Sequence, residues 1–363
     1  MKWLKYLLIL MVMAVAGSAI NLYFYAKTPL DSAAADRKIE FDLLKGMHPH
    51  EISFALEKAG IVKSASSFYW LGKVIEGWSG IRAADYEFSP AMTPLQLFKA
   101  FKSGIGIQHS LLVREGDNIY QVAAAFEAAK IGTKKDVLKL LRSPEYIASL
   151  GLSEESVRSL EGYLYPNTYF YDKREAADIM VRRMVDAFLR TWTPEYDARA
   201  KELGLTRRQV VILASMIEKE TGASFERPMI ASVFYNRLKK KMRIQSDPTT
   251  IYGIWDHYSG NLHRTDLLHP TEYNTYTIPA LPIGAISNPN PESIKAALYP
   301  ADTDFLYFVS KNDGTHMFSK TYGEHTEWVK KTQLDPKARE GKSWRDLKKK
   351  TPAKNELSKQ TRH

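Results

Sequence analysis

The chain has 363 residues, 44% hydrophobic and 25% charged, proportions that are ordinary for folded protein and that exclude a wholly disordered chain or a membrane protein of many spans. The absence of cysteine excludes disulfides, lipid attachment through cysteine and thiol chemistry. The net charge of +10 would be compatible with nucleic-acid binding, but residues 330–363 alone contain 12 basic and 4 acidic residues. Most of the excess charge therefore belongs to the C-terminal tail.

Residues 1–27 predict a cytoplasmic start and a transmembrane anchor. Residues 6–26 carry no charge, and as a helix they would span about 30 Å, the thickness of a bilayer core. Lys2 and Lys5 precede this stretch, so the positive-inside rule predicts that the start lies in the cytoplasm and that everything after Lys27 lies outside. The alternative is a cleaved signal peptide, with residues 14–16 as an Ala-x-Ala site. Both interpretations export the remainder, which argues against nucleic acid as a partner.

The next region contains an internal repeat. After a polar linker at 28–37, residues 41–61 match residues 111–131 at an offset of 70, with Gly46 opposite Gly116. Each copy predicts a strand, a glycine turn and an amphipathic helix. Residues 38–135 resemble LysM modules, small α+β units that bind murein or chitin sugars, and we interpret them as a LysM-like region. The alternative is a domain that only packs and positions its neighbour.

Residues 136–330 predict a mixed α+β domain, giving an α+β fold class overall. The segment 138–205 has helical character, and Asn312 to Gly314 predict a hairpin turn between two strands. The basic tail, 331–363, has little apolar periodicity and is expected to be mobile and solvated. The alternative for the tail is contact with anionic lipid headgroups or wall polymers.

The stretch ILASMIEKETG, residues 212–222, places two glutamates at the end of an apolar helix. Thr206 and Gln209 form a capping box, and Gly222 predicts the helix end. Burial and the negative end of the helix dipole both disfavour an ionised carboxylate, so at least one glutamate is expected to hold a proton, as a general acid must. Small neighbours in the preceding turn leave room beside Glu218 for a sugar. The alternative is that both glutamates only form ion pairs with Lys219, Arg227 or Arg237.

Several motifs between residues 161 and 325 resemble one known family. They are EGYLYPNTY, ASMIEKET, ASVFYNRL, IQSDPTTIYG, YNTYTIPALPIGAISNP and LYFVSKNDGTHMFSKTYGEH. In this order they resemble the membrane-bound endolytic murein transglycosylases, also called YceG-like. The sequence departs from the family pattern in ALPIG and RAADYEF, which affects loop geometry and sugar subsites.

The resemblance implies a lytic transglycosylase whose catalytic acid is the glutamate of the E-K-E-T motif, interpreted here as Glu218. Such an enzyme cuts the β-1,4 bond between N-acetylmuramic acid and N-acetylglucosamine within a peptidoglycan strand and leaves a 1,6-anhydro end, which would terminate glycan strands during cell-wall assembly. A hydrolase needs a second carboxylate across the sugar. In a transglycosylase the C6 hydroxyl of the muramic acid attacks instead, so one glutamate can act first as acid and then as base.

Sugar binding requires amides, hydroxyls and aromatic faces near the acid. The residues predicted to provide them are Gln245, Ser246, Asp247, Tyr252, Asn274, Tyr276 and Asn288. Turn capping is the alternative role for the Asp, Asn and Ser residues among them.

The sequence predicts no metal site and no cofactor. His257, His263 and His269 recur at six-residue spacing but lack a metal-binding motif. The predicted partners are peptidoglycan glycan strands, the membrane and possible cell-wall synthases of the penicillin-binding class. Two alternatives remain: a murein-binding scaffold for synthases that has no activity, and a lysozyme-like hydrolase that releases reducing ends.

Overall fold

A computed structural model describes residues 2–152, 156–171, 173 and 175–335. The predicted tail lies outside these residues from position 336 onward. Within them the chain forms two compact units. The N-terminal unit consists of Met1–His109 and residues 170–174, and the C-terminal unit consists of Ser110–Tyr169 and the described residues from Glu175 onward. The division falls inside the region 38–135 that sequence patterns group together, and the LysM-like assignment and the domain limits stay predictions.

The N-terminal unit is a small α+β structure. Its elements are α1 (Lys2–Lys27), β1 (Ile39–Leu43), α2 (Pro49–Lys58), α3 (Ala65–Val74), β2 (Ala84–Phe88) and α4 (Pro94–Ser103). β1 and β2 pair antiparallel, and Phe41 lies opposite Tyr86 in the register. Alternation turns Phe41 and Leu43 inward, where they pack with buried aromatic residues of β2, α3 and α4.

The first helix is the element predicted as the anchor. α1 is long and apolar enough to cross a membrane. The rest of the protein does not bury its apolar 18-residue stretch. Signal sequences share this length and composition. Segment 28–37, predicted to be a linker, makes hydrogen bonds to the N-terminal unit: Asp31 N donates to Pro90 O over 3.0 Å and Ser89 Oγ donates to Ala34 O over 2.7 Å.

The two copies of the repeat adopt the predicted strand, turn and helix. The second copy consists of β3 (His109–Val113) and α5 (Ile119–Ala128). Gly46 and Gly116 both have positive φ, 88° and 74°, a backbone conformation that favours glycine and explains the shared residue. β3 pairs with β4 (Asn167–Tyr171) in a separate two-stranded sheet.

The C-terminal unit is mainly helical. Besides short 3-10 turns at Ser224–Glu226 and Trp255–His257, its further elements are α6 (Lys134–Leu141), α7 (Pro144–Ser149), α8 (Ala177–Thr191), α9 (Pro194–Glu202), α10 (Arg207–Glu220), α11 (Arg227–Lys239), α12 (Asp247–Gly253), α13 (Arg264–Leu268), α14 (Pro291–Leu298), β5 (Tyr307–Ser310), β6 (His316–Ser319), α15 (Tyr322–Val329) and a π-helical turn (Lys330–Leu334). β5 and β6 form the predicted hairpin, with Asn312 and Gly314 at positive φ in its turn.

Helix α10 is the buried centre of this unit. Thr206 and Gln209 form the predicted capping box, and every residue from Val210 to Ile217 is buried. The helix packs against α14, α11 and α12. Its C-terminus differs from the expectation: the helix ends because Thr221 is extended, at φ −144° and ψ 140°, rather than through a left-handed Gly222. Glu218 and Glu220 therefore both lie in the last turn, about 200° apart around the axis.

Candidate active site

Glu218 faces α14. Its Oε2 accepts hydrogen bonds from Asn290 N over 3.0 Å and from Ser293 Oγ over 2.7 Å, and Arg227 Nη2 lies 3.8 Å from Oε1. Asn290 is the N-cap of α14, so the carboxylate lies at the positive end of that helix. The side chain is only 7% exposed. These contacts join the carboxylate of Glu218 at the end of α10 to the start of α14.

Glu220 faces an open polar cavity instead. The cavity has a volume of about 290 Å³. Its walls are formed by Glu220, Arg237, Ile244, Gln245, Asp247, Tyr276, Tyr307, Phe308, Tyr322 and His325. Glu220 and Glu218 are both intermediate in residue exposure, but Glu220 lines this wall. Hydroxyl, amide, carboxyl and aromatic groups surround it, the mixture that sugars require.

The protonation of Glu220 differs from that of an ordinary glutamate. Burial raises its pKa from 4.5 to about 7, and the negative charge of Asp247 contributes in the same direction. Ser246 Oγ donates to Glu220 Oε1 over 2.5 Å and, with the charge of Arg237, opposes that rise. Glu220 can therefore give up and take back a proton near neutral pH.

Three of the predicted sugar-contact residues, Gln245, Asp247 and Tyr276, lie in this cavity wall. Tyr276 Oη donates to Asp247 Oδ1 over 2.6 Å, which holds both side chains at the rim. Gln245 is exposed and has a φ of 54°, an unusual backbone conformation for a residue other than glycine. Ser246, a fourth predicted residue, is buried beneath the cavity and reaches it through its bond to Glu220.

Asn288 requires a correction, because the structure places it inside the protein with an exposure of 0%. Its Oδ1 accepts from Gly162 N and Leu164 N over 2.9 and 3.0 Å, and its Nδ2 donates to Asp117 O over 2.8 Å. The amide connects the segment before β4 to the turn before α5. It has no capacity left for a sugar.

Asn274 and Tyr252 require the same correction. Asn274 is fully buried and donates from Nδ2 to the carbonyls of Leu267 and His269, at the C-terminal end of α13. Tyr252 is 7% exposed and packs against Tyr273, with ring centroids 4.7 Å apart. Its hydroxyl contacts Glu161, whose pKa burial raises to about 8. This second carboxyl group with a raised pKa lies in the interior beside α5, where Ile119 N donates to it.

Arg237 and the hairpin aromatics are cavity residues that the sequence interpretation did not assign to the site. Arg237 Nε donates to Leu306 O and its Nη1 to Ile244 O, over 2.6 and 2.7 Å, and its guanidinium lies over the ring of Tyr307. These contacts fix a positive charge in the cavity wall. The sequence indicated Arg237, in the motif YNRL, only as an ion-pair partner of the glutamates.

Among the described residues no three His, Asp or Glu side chains converge as a metal site would require. A polar cavity whose wall contains a carboxyl group with a raised pKa is the kind of site that acid–base enzymes use.

Comparisons with known proteins identify the family. The sequence profile of the YceG-like family matches residues 41–331. The chain is 32% identical over 320 residues to a Bacillus subtilis protein named endolytic murein transglycosylase, a match that covers 84% of this chain and 88% of that protein. A Streptococcus pneumoniae protein of the same name is 25% identical, and the match covers 89% of this chain and 63% of that longer protein.

A solved structure supports the same conclusion. The crystal structure of a putative yceG-like protein from Listeria monocytogenes is 34% identical, with a TM-score of 0.56, over 80% of this chain and 99% of that one. The chain therefore belongs to the YceG-like family. The resemblance predicted from the sequence is confirmed. The enzyme class, lytic transglycosylase, is also confirmed, because the curated relatives share the name endolytic murein transglycosylase.

Proposed function

We propose that this enzyme cleaves peptidoglycan glycan strands within their length and that Glu220, not Glu218, is its catalytic acid. The observation that carries the proposal is a carboxyl group with a pKa of about 7 in the wall of a polar cavity. Glu218 is nearly buried and is hydrogen-bonded by α14. Both residues belong to the E-K-E-T motif. The catalytic residue is therefore still a glutamate of this motif, but the second one rather than the first.

The reaction needs one proton moved twice. Protonated Glu220 donates to the oxygen linking N-acetylmuramic acid to N-acetylglucosamine, and the bond from that oxygen to C1 of the muramic acid breaks. The C6 hydroxyl of the same muramic acid bonds to C1 and returns its proton to Glu220. The product is a 1,6-anhydro end, and no water is consumed. The carboxylates of Asp247 and ionised Glu220 would stabilise the positive charge that develops at C1.

One observation favours a second candidate, hydrolysis. Asp247 shares the cavity with Glu220, and a carboxylate pair of this kind can also activate water. Mass spectrometry of products from purified glycan strands separates the two reactions. We expect anhydro ends, lighter by one water than reducing ends. Reducing ends alone would support the hydrolase, and no cleavage at all would support a scaffold.

The proposal includes an inner-membrane location with the catalytic unit on the periplasmic side. It is supported by the apolar helix α1 and by Lys2 and Lys5 before its charge-free stretch. Glycan-strand termination is the proposed biological role, because cleavage within a strand near the membrane would shorten new strands. Association with cell-wall synthases stays a prediction from the family resemblance.

The pH dependence of the rate is a direct prediction. Because Glu220 must begin the reaction protonated, we expect kcat/KM to fall as pH rises through about 7, the raised pKa of its carboxyl group. An acid with the ordinary pKa of 4.5 would lose activity well below neutrality. Initial rates on soluble glycan strands between pH 5 and 9 provide the measurement, and a fall centred near 4.5 would contradict the assignment.

Ser246→Ala should move that profile without abolishing activity. Removing the hydroxyl that donates to Glu220 removes an interaction that lowers the pKa, so the fall in rate should shift to higher pH. Ser232→Ala is the matched control, because its hydroxyl is also buried but bonds to Thr303. An unshifted profile for Ser246→Ala, equal to that of the control, would show that the hydroxyl does not tune the acid.

A further inference from the structure

Helix α1 joins the N-terminal unit without a flexible joint. Ala26 is buried in the core of that unit, and Leu22 packs against the same core. Tyr25 Oη donates to Ser64 O, the N-cap of α3, over 2.9 Å. The end of the apolar helix is therefore fixed against α3, and the direction of α1 determines how the unit is oriented.

An apolar face of the unit continues the surface of α1. On α3, Trp70 and Val74 are one turn apart and are 61% and 69% exposed, and Leu95 at the start of α4 is 38% exposed. Together with one side of α1 they line a groove of about 590 Å³. Exposed apolar surface of this extent, next to a helix long enough to cross a membrane, indicates a surface that contacts lipid or another protein.

The position of the groove along α1 indicates that the contact is with lipid. The groove reaches from Lys27 back to Ser18, a distance of about 13 Å at 1.5 Å per residue. Residues 6–26 are the charge-free stretch, so the groove lies beside the last part of the segment that would occupy the bilayer. Lys27 lines the groove at its end, and its ammonium group is suited to a lipid phosphate at the interface.

We propose that this face of the N-terminal unit, made by Trp70, Val74 and Leu95, is inserted into the outer leaflet and that lipid acyl chains fill the groove. The unit is thereby held on the membrane in one orientation. The inference rests on the anchoring included in the proposed function. It adds that α3 and α4 are membrane-contacting elements and that α1 is not a tether for a freely tumbling domain.

Site-directed spin labelling tests this, because the chain has no cysteine of its own. Single variants Trp70→Cys, Val74→Cys and Leu95→Cys of the full chain would be labelled and reconstituted into vesicles of phosphatidylcholine and phosphatidylglycerol. We expect these labels to collide more often with oxygen, which concentrates in lipid, than with a water-soluble nickel chelate. Lys45→Cys, an exposed position in the turn after β1, is the water control, and Ile9→Cys reports whether α1 itself is in the bilayer.

The outcomes are distinct. Labels at 70 and 74 that behave like the label at 45 while the label at 9 is embedded would overturn the inference and leave the anchor intact. Dipolar broadening between labels at 74 would show that a second copy of this chain occupies the face, and would also overturn it. If the label at 9 is in water, the anchor and this inference fail together. Murein cleavage by the same labelled proteins is measured separately, so the proposed reaction is judged on its own result.

Discussion

Glu220→Gln is expected to lower kcat by about 10²–10⁴-fold, the usual contribution of a general acid. Glutamine preserves the shape of the side chain and can still accept the Ser246 hydrogen bond, but it has no proton to donate to the glycosidic oxygen. The measurement is the initial rate of anhydro-end formation from purified glycan strands.

Glu218→Gln is the matched control, because it removes the other carboxylate of the same motif and the same helix turn. Its amide oxygen can still accept from Asn290 N and Ser293 Oγ, so we expect a folded protein whose kcat is within a few-fold of the original. The reverse pattern, with an inactive Glu218→Gln and an active Glu220→Gln, would return the catalytic role to Glu218.

Stability provides evidence that Glu220→Gln is folded. The pKa of Glu220 is about 7 in the folded protein and 4.5 in the unfolded chain. Its contribution to the stability of the fold is therefore greatest below pH 4.5. That stability is lost as pH rises from 4.5 through 7. Glutamine does not titrate, so the variant should be at least as stable as the original protein at pH 8. A thermal midpoint far below the original at pH 8 would mean that lost activity reflects unfolding.

Asn288→Ala is expected to destabilise the C-terminal unit by about 3 kcal/mol or more. It removes the partner of Gly162 N and Leu164 N, two buried donors, and each buried donor without a partner costs about 1–3 kcal/mol. The thermal midpoint should fall by roughly 6–12 °C for a unit of this size.

The control for that variant is Asn167→Ala, an exposed asparagine whose Oδ1 accepts from the adjacent Thr168 N. Its stability should change by no more than about 0.5 kcal/mol. If Asn288→Ala kept the original midpoint but lost affinity for glycan strands, Asn288 would be a sugar ligand after all.

Local sequence signals predicted the elements around the site well. The capping box at Thr206 and Gln209, the glycine turns of the repeat and the hairpin at Asn312 all depend on residues within a few positions of each other, and all three are present. The end of α10 was predicted less well, because Thr221 leaves the helix in an extended conformation rather than through Gly222.

The choice between the two glutamates could not be made from such signals. Burial and the helix dipole act on both residues, and what separates them is contact with Asn290 and Ser293, more than 70 residues away in sequence. The small residues beside Glu218 were interpreted as room for a sugar. Ser215 in fact accepts from Ile286 N, and Ser287 Oγ donates to Ser215 O, so another segment of the chain fills that space.

The amides illustrate the same limit. Asn274 and Asn288 have the chemistry of sugar ligands, but identical groups satisfy buried backbone, and both are fully buried. Gln245, Asp247 and Tyr276 line the cavity because α12 begins directly beside the end of α10. That packing is tertiary information.

The most direct test is a carbon NMR titration of protein labelled with ¹³C at the glutamate carboxyl carbons, using Glu220→Gln to assign the resonance. We predict a titration midpoint of about 7 for Glu220. A midpoint near 4.5, the value of an ordinary glutamate in water, would contradict the central claim that this carboxyl group keeps its proton until the substrate takes it.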